Sequence, residues 1–460
     1  MEIDLLHKKY RILVVGLGLR SGLSAANFLS AEEHIVEVSD SKSRDELSEI
    51  ISKLDSDVVV HAGNQHPLLL DRGFDLVVLS PGVPAKIDLV QESIRRGIPV
   101  ISEIELAFRY IKGLTIGITG TDGKSTTTAM TNHVLKELGW DTRMGGNIGI
   151  PLISLAGETT DRSVTVIELS SYQLETIDSF RPDAAAFLNL TPDHLDRYNS
   201  LDDYFAAKMR IAKNQTKNDF FIYNADDERV SLGASALAAT LYSFSLTKKA
   251  DAWYEVGSVF ITVGKRSVKV FDAREMTVMG LHNVQNAMAV LLLIRSLYEK
   301  LGEEFPVARA AAACCSFKGL AHRMEKLGIY NDRLFINDSK ATTVGAVEMA
   351  LRSLDRQAVL ILGGRAKGDD YSRLADAMKG KIRALVLIGE TTDQFAELFL
   401  SFSHEAASDM SDAVLKAMNL SRPGDAILLS PATASFDMYK SFEHRGDVFR
   451  EAFLALTEKR

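Results

Sequence analysis

The chain has 460 residues, 46% hydrophobic and 25% charged, with a net charge of −8. That length suggests about three domains. The composition is that of an ordinary globular protein. The acidic balance gives no global attraction for nucleic acid, so any anion site must be local. No apolar run reaches membrane-spanning length, and the polar start runs straight into a strand, so neither membrane insertion nor a secretory leader is expected. The only cysteines, Cys314 and Cys315, are adjacent and lie in an Ala-rich helical stretch, which fits a reducing cytoplasm and small packing residues better than a metal or a disulfide.

The first stretch reads as a βαβ unit. A buried strand at 11–15 is followed by Gly16, Gly18 and Gly22, a helix at 23–29 and a strand at 35–38 ending at Asp40 and Ser41. The acid lies about twenty residues past the glycines, as in dinucleotide folds. The glycine spacing is one residue longer than that fingerprint, and a βα turn with no ligand has the same look. Strands at 58–60 and 76–79 follow, the second ending in Ser80-Pro81-Gly82. A strand's carboxyl end is where open α/β sheets bind ligands, so a nucleotide-type ligand is admitted without evidence for a nicotinamide. A boundary is placed after residue 103.

The second stretch opens on the most informative segment. The strand 114–119 runs into Gly120-Thr121-Asp122-Gly123-Lys124-Ser125-Thr126 and then a helix. Strand, glycine loop and helix form a phosphate cradle, with loop N–H groups and the helix start facing the anion. Lys124 would reach the β/γ-phosphates of ATP and the Ser125 hydroxyl a Mg²⁺. Ile118 stands where the strict Walker pattern has glycine, so the loop is the shorter G-x-x-G-K-S form. The segment 144–149, containing Asn147, reads as a glycine-rich loop. A strand at 164–167 ends on Glu168, a position suited to a carboxylate facing Mg²⁺. A strand at 184–188 leads to Asp193-His194-Leu195-Asp196-Arg197, a dense ionisable cluster. On pattern alone, Lys208 in the helix 201–213 is a solvated helix lysine. Segments 259–263 and 267–271 read as a hairpin. Asn283 and Asn286, one helical turn apart, either face one ligand or cap the helix that follows. A second boundary follows residue 318.

The third stretch is again α/β. Its strand ends carry Asp338-Ser339-Lys340-Ala341-Thr342, Gly363 to Asp369 with Lys367, and Ser430 to Asp437 with Ser435 and Phe436. Lysines and hydroxyls on one sheet edge suit a carboxylate or phosphate.

Taken in order, the phosphate loop, Gly146-Asn147-Ile148-Gly149, Glu168 to Glu175, Asp193 to Arg197, His282-Asn283 with Asn286, His322-Arg323 with Glu325, and Asn337 to Thr342 resemble the Mur ligase family, with folylpolyglutamate synthases as relatives. The resemblance spans essentially the whole chain. It implies three α/β domains: a Rossmann-like N-terminal domain for a UDP-linked substrate (1–103), a central P-loop ATPase-like domain (104–318) and a Rossmann-like C-terminal amino-acid domain (319–460). It implies ATP-driven amide formation through an acyl phosphate, from UDP-N-acetylmuramoyl-L-alanine and D-glutamate, by a cytoplasmic monomer using two Mg²⁺ ions. By the same resemblance, Ser125 and Glu168 hold Mg²⁺. His194 ligates a second ion or orients the substrate carboxylate, and Lys208 is carbamylated and ligates metal, against its pattern reading. Gly120 to Thr126, Asn283, Asn286, Arg323 and Asp338 bind ATP. Leu19, Arg20, Asp40, Ser41, Gly82 and Asn147 contact the UDP substrate. Lys340, Thr342, Lys367, Ser435, Phe436 and Phe442 receive D-glutamate. Asp122 stands where the family usually has Asn, and the Gly16–Gly22 loop is one residue longer than in close relatives.

Overall fold

Short β-branched and aliphatic runs form parallel strands here because both sheet faces are covered by helices, the arrangement that favours continuous apolar strands. The computed structural model describes residues 4–193, 197–264, 266–278 and 280–458. The chain divides into two units, 1–317 and 318–460.

The first unit holds two sheets. The N-terminal one is five-stranded, with strands β1 (Arg11–Val15), β2 (Ile35–Asp40), β3 (Val59–Ala62), β4 (Leu76–Leu79) and β5 (Val100–Ser102) in the order β3-β2-β1-β4-β5. All its pairings are parallel. The order reverses between β1 and β4, which places a ligand crevice at their carboxyl ends. The second sheet is nine-stranded: β6 (Leu114–Thr119), β7 (Thr142–Gly146), β8 (Val164–Glu168), β9 (Ala184–Phe187), β10 (Phe220–Asn224), β11 (Thr240–Ser245), β12 (Ala252–Glu255), β13 (Ser258–Val263) and β14 (Arg266–Asp272). β6 lies between β8 and β9, so the phosphate loop leaves the sheet flanked by the ends of both. The expected hairpin is β13–β14, antiparallel. The two sheets share one apolar core. Ile104 and Leu106 of the helix Glu103–Phe108 and Leu152 and Ile153 of the 3₁₀ helix Leu152–Glu158 are buried in it with Val14 and Val36.

One expectation is corrected. Residues 144–146 of the expected loop 144–149 instead end the edge strand β7, paired in parallel with β8. Gly146 sits at φ +102°, and a Cβ there would lie 2.4 Å from the Glu168 carbonyl oxygen. The glycine permits a close approach of two backbones rather than breaking the strand.

The second unit carries a six-stranded sheet: β15 (Glu325–Tyr330), β16 (Arg333–Asn337), β17 (Ala358–Leu362), β18 (Ile382–Ile388), β19 (His404–Ala407) and β20 (Ala426–Leu429). The order is β15-β16-β20-β17-β18-β19, and only β15 is antiparallel to its neighbour. β20 is thus flanked by β16 and β17, and the three lysine- or serine-bearing loops leave adjacent strands. The mixed α/β class read from the sequence holds. Among the described residues, no helix is long and apolar enough to cross a membrane.

Candidate active site

The helix Lys124–Glu137 follows Gly123, whose φ of +81° turns the chain into the helix. A Cβ at Gly123 would lie 2.6 Å from Asn286 Oδ1, so this turn also needs the missing side chain to admit the neighbouring asparagine. Asn286 is buried and donates to Asn283 Oδ1 at 3.3 Å, which brings both to the loop's flank. The loop is tied to the end of β9. The Asp122 N–H donates to Asn189 Oδ1 at 2.8 Å, Asn189 Nδ2 donates to the Asp122 carbonyl at 3.1 Å, and the Thr121 N–H donates to the Asn189 carbonyl at 2.9 Å. Asn189 therefore reads the backbone of Asp122, and the exposed carboxylate plays no part in that clamp.

Two lysines converge on this loop. Lys124 Nζ donates to the Gly120 carbonyl at 3.0 Å and to the Thr121 carbonyl at 2.6 Å. Lys208 Nζ donates to the same Gly120 carbonyl at 2.6 Å. The pattern reading of Lys208 as solvated is overturned: the side chain is 1% exposed, and its ammonium lies 4.5 Å from the centre of the Tyr204 ring. Burial, and then the charge of Lys124, pull its pKa down from 10.5 to about 7, against the opposing charges of Asp193, Asp122 and Glu168. Tyr204, four residues earlier on the same helix, is the partner that the i,i+4 spacing offered and that sequence reasoning did not use.

Glu168 ends β8 beside the loop and is buried. Asn147 Nδ2 donates to its Oε1 at 2.7 Å, while Oε2 is buried and, among the described residues, has no hydrogen-bond partner. A buried, half-satisfied carboxylate is costly and points to a missing cation or donor. The Ser125 hydroxyl lies in the first turn of the adjacent helix, also buried, and Thr126 follows it half-buried. Among the described residues, no group of three or more His, Cys, Asp or Glu forms a metal cluster. A carboxylate plus a hydroxyl suits Mg²⁺, which usually binds few protein ligands together with substrate phosphates. His194 and Asp196 lie outside the described residues. Nearby, Arg197 pairs with Glu175 at 2.7 Å and stacks 3.9 Å over Tyr172.

At the N-terminal sheet, Leu19, Arg20, Ser41 and Gly82 are exposed at the carboxyl ends of β1, β2 and β4. Asp40 Oδ2 accepts the Leu17 N–H at 2.6 Å and Oδ1 the Lys42 N–H at 2.9 Å, so this acid shapes both neighbouring loops. Arg20 donates to the Gly149 carbonyl.

In the second unit, Asp338 is almost fully buried. It accepts the Met324 N–H at 3.1 Å and the Ser430 hydroxyl at 2.8 Å, and burial pushes its pKa up to about 7. Arg323 is exposed beside it, and its charge acts on the carboxyl. Lys367 Nζ donates to Thr342 Oγ1 at 2.9 Å, joining the loops after β16 and β17. The Lys340 ammonium lies 6.0 Å from the centre of the Phe442 ring. Ser435 is buried and Phe436 exposed. Arg445 carries no signal in the sequence that singles it out. It is 1% exposed and donates to Ser339 Oγ at 3.0 Å and to the carbonyls of Ser339 at 2.9 Å, Thr433 at 3.2 Å and Ala434 at 3.3 Å. It thereby fixes the loop that carries Lys340 and the loop that carries Ser435.

Three domain descriptions match in chain order: the MurD-like N-terminal domain of Mur ligases over 10–102, the Mur ligase middle domain over 118–294, and the Mur ligase glutamate ligase domain over 322–433. The chain is 40% identical over 452 residues to the UDP-N-acetylmuramoylalanine–D-glutamate ligase of Geobacter sp. (strain M21), covering 97% of this chain and 98% of that one. The chain belongs to the Mur ligase family. A second Mur ligase of the same name, from Geotalea daltonii, is 41% identical over 456 residues, with 98% of each chain covered. The UDP-N-acetylmuramate–alanine ligase of Thermotoga maritima shares the Mur ligase fold, with a TM-score of 0.58 at 20% identity over 97% of this chain and 99% of that one. The three-domain Mur ligase architecture expected from the sequence holds, with the first two domains grouped in the first unit.

Proposed function

We propose that this Mur ligase joins D-glutamate to UDP-N-acetylmuramoyl-L-alanine with hydrolysis of ATP to ADP and phosphate, a step of cytoplasmic peptidoglycan precursor synthesis. The near-full-length relatives carry that activity in their names. The observation in the molecule that supports it best is the convergence of Lys124 and Lys208 on the Gly120 carbonyl beside a carboxylate with an open oxygen.

A carboxylate is a poor electrophile. Transfer of the γ-phosphoryl group to the alanyl carboxylate supplies a leaving group. The amine of D-glutamate then attacks the acyl carbon, and the tetrahedral intermediate collapses to amide and phosphate. Two anions must meet in the first step, so catalysis rests on charge placed in advance. The loop N–H groups from Gly120 to Thr126 and the helix start would hold the phosphates. Lys124, now donating to two neutral carbonyls, would gain a better partner in a phosphate oxygen. Asn283, Asn286, Arg323 and Asp338 are assigned to the nucleotide.

The donor set fits Mg²⁺: Ser125 and the open oxygen of Glu168 would hold one ion, and His194 with Lys208 a second. Mg²⁺ would neutralise charge between the phosphates and the reacting carboxylate. Lys208 suits carbamylation, because an amine with a pKa lowered to about 7 is about half neutral at neutral pH and can add CO₂ with loss of a proton. The product is an anion, which relieves the burial of an ammonium beside Lys124.

Leu19, Arg20, Asp40, Ser41, Gly82 and Asn147 are assigned to the UDP substrate. Lys340, Thr342, Lys367, Ser435, Phe436 and Phe442 are assigned to D-glutamate, whose two carboxylates call for paired cations and hydroxyl donors. We take the enzyme to act as a monomer. The test is a coupled ADP-release assay with UDP-N-acetylmuramoyl-L-alanine and, in turn, D-glutamate, L-alanine and a diamino acid. ADP release is expected with D-glutamate; release with one of the other amino acids and not with D-glutamate would overturn the assignment.

A further inference from the structure

Glu103 is a buried carboxylate that the reaction as described does not use. It opens the helix Glu103–Phe108 and is 1% exposed. Its Oε1 accepts the Ile153 N–H at 2.8 Å, the Leu152 N–H is a second donor, and Oε2 is buried without a partner among the described residues. Leu152 and Ile153 begin the 3₁₀ helix Leu152–Glu158, so the carboxylate caps N–H groups that a helix start leaves orphaned. A few residues earlier, the Gly149 carbonyl accepts Arg20. At the other end of the same segment, the Asn147 N–H donates to the Glu168 carbonyl at 2.9 Å and the Asn147 amide to Glu168 Oε1 at 2.7 Å. Between them, the Gly146 N–H closes a tight turn onto the Ile150 carbonyl at 3.0 Å. Residues 147–153 are thus a strap held at Glu103, at Arg20 and at Glu168.

We propose that Glu103 and Arg20 are positioning residues for Glu168: by fixing the strap they keep the Asn147 amide on one carboxylate oxygen and leave the other facing a divalent cation. The proposal deepens the reading of Glu168 as a cation ligand and rests on it. Three features favour it over a plain structural pin. Asn147 is itself exposed, so its side chain holds its place only if its backbone is fixed. A neutral acceptor would cap Ile153 without the cost of a buried carboxylate, which burial raises to about 7. The charge that offsets that cost is Arg20, on the other side of the strap. A partner of a metal ligand commonly changes metal affinity about 10–100-fold when removed.

The test titrates Mn²⁺, a hard-cation probe with a readable spin, into the full chain with ADP, following free Mn²⁺ by electron paramagnetic resonance. Glu168→Gln examines the underlying reading and should abolish the tight site. Asn147→Ala should weaken Mn²⁺ binding about tenfold, and Glu103→Ala and Arg20→Ala somewhat less, in the same direction. Glu103→Gln, which keeps an acceptor oxygen but loses the charge that faces Arg20, should recover only part of that loss, and full recovery would reduce Glu103 to a plain structural pin. Hydrogen exchange at 147–153 should rise in Glu103→Ala and Arg20→Ala. Glu168→Gln losing the site while Glu103→Ala and Arg20→Ala bind like wild type overturns the strap. Glu168→Gln binding like wild type overturns the cation reading and the strap with it. Should Glu103→Ala not fold, Arg20→Ala, a surface substitution, decides alone.

Discussion

The phosphate loop and the strand ends of the second unit hold their cations in opposite ways. At the loop, Lys124 and Lys208 donate to one neutral carbonyl, and a nearby carboxylate oxygen has no donor among the described residues. Like charges face each other and an anion has an open partner, a local conflict that a bound polyphosphate and cation would relieve. In the second unit the groups are already partnered. Lys367 donates to a hydroxyl, and Arg445 spreads its donors over three carbonyls and a serine. Under the proposed function, the first arrangement would store charge for chemistry and the second would fix loop shape for recognition. Substitutions at the loop should therefore cost rate, and substitutions in the second unit should cost affinity or stability.

The largest effect is expected at Lys124. Lys124→Ala should lower ADP-forming turnover about 10³-fold with an unchanged circular dichroism spectrum, since one preorganised contact to developing charge carries about that much. Turnover near wild type in the folded variant would end the phosphate-loop assignment and the contrast built on it.

Lys208→Ala should lose about 10²-fold in turnover, and added short carboxylates should restore part of it by standing in for the carbamate. The pH sign follows from the lowered pKa. Below about 7 the amine is increasingly protonated and cannot add CO₂, so activity should fall with acid and the fall should be blunted by added bicarbonate. A profile that ignores bicarbonate at every pH, together with an unmodified Lys208 by mass spectrometry of active enzyme, would refute carbamylation.

Asp338 tests the other side through stability. Its folded pKa, about 7, lies above the unfolded value near 3.8. A raised carboxylate favours folding below the unfolded pKa, and that contribution is lost as pH rises towards and through 7. Between pH 5 and 8 the loss is about 2–3 kcal/mol from this group. Asp338→Asn keeps one acceptor oxygen, for the Met324 N–H, and turns its amide N–H to the Ser430 hydroxyl, which can accept; it should flatten that part of the pH dependence of unfolding of the second unit. An unchanged slope between pH 5 and 8 would mean the carboxyl titrates as an ordinary one.

Much of this was legible in the sequence, and the failures share a cause. The phosphate loop declares itself because its chemistry is carried by backbone, and glycines followed by Lys124-Ser125 leave a local trace. The β13–β14 hairpin was readable from alternation. Lys208 was misread because burial of one lysine on a mixed helix depends on what packs over it, here Tyr204 and the loop itself. The end of β7, residues 144–146, reads as loop because Gly146 answers a contact with Glu168, distant in sequence. β11, β12, β15 and β19 were not read at all: β12 and β19 have four residues each, and β15 and β19 are edge strands, where alternation and apolar length are both weak. Arg445 left no trace because its partners are carbonyls of two other loops.

The smallest effect sharpens the contrast most directly. Lys367 is an exposed lysine whose ammonium pairs with Thr342 Oγ1, and among the described residues no carboxylate forms an ion pair with it. Burial of its stem lowers its pKa, so part of its charge is held at some cost and would be better placed against an anion. If Lys367 receives D-glutamate as proposed, Lys367→Ala removes one charged hydrogen bond to it, worth about 1.5–3 kcal/mol. KM for D-glutamate should therefore rise about tenfold or more, while KM for ATP and the unfolding midpoint stay put. A fall in turnover at saturating D-glutamate, with KM unchanged, would place Lys367 with the charge-storing lysines of the loop rather than with a receptor of fixed shape.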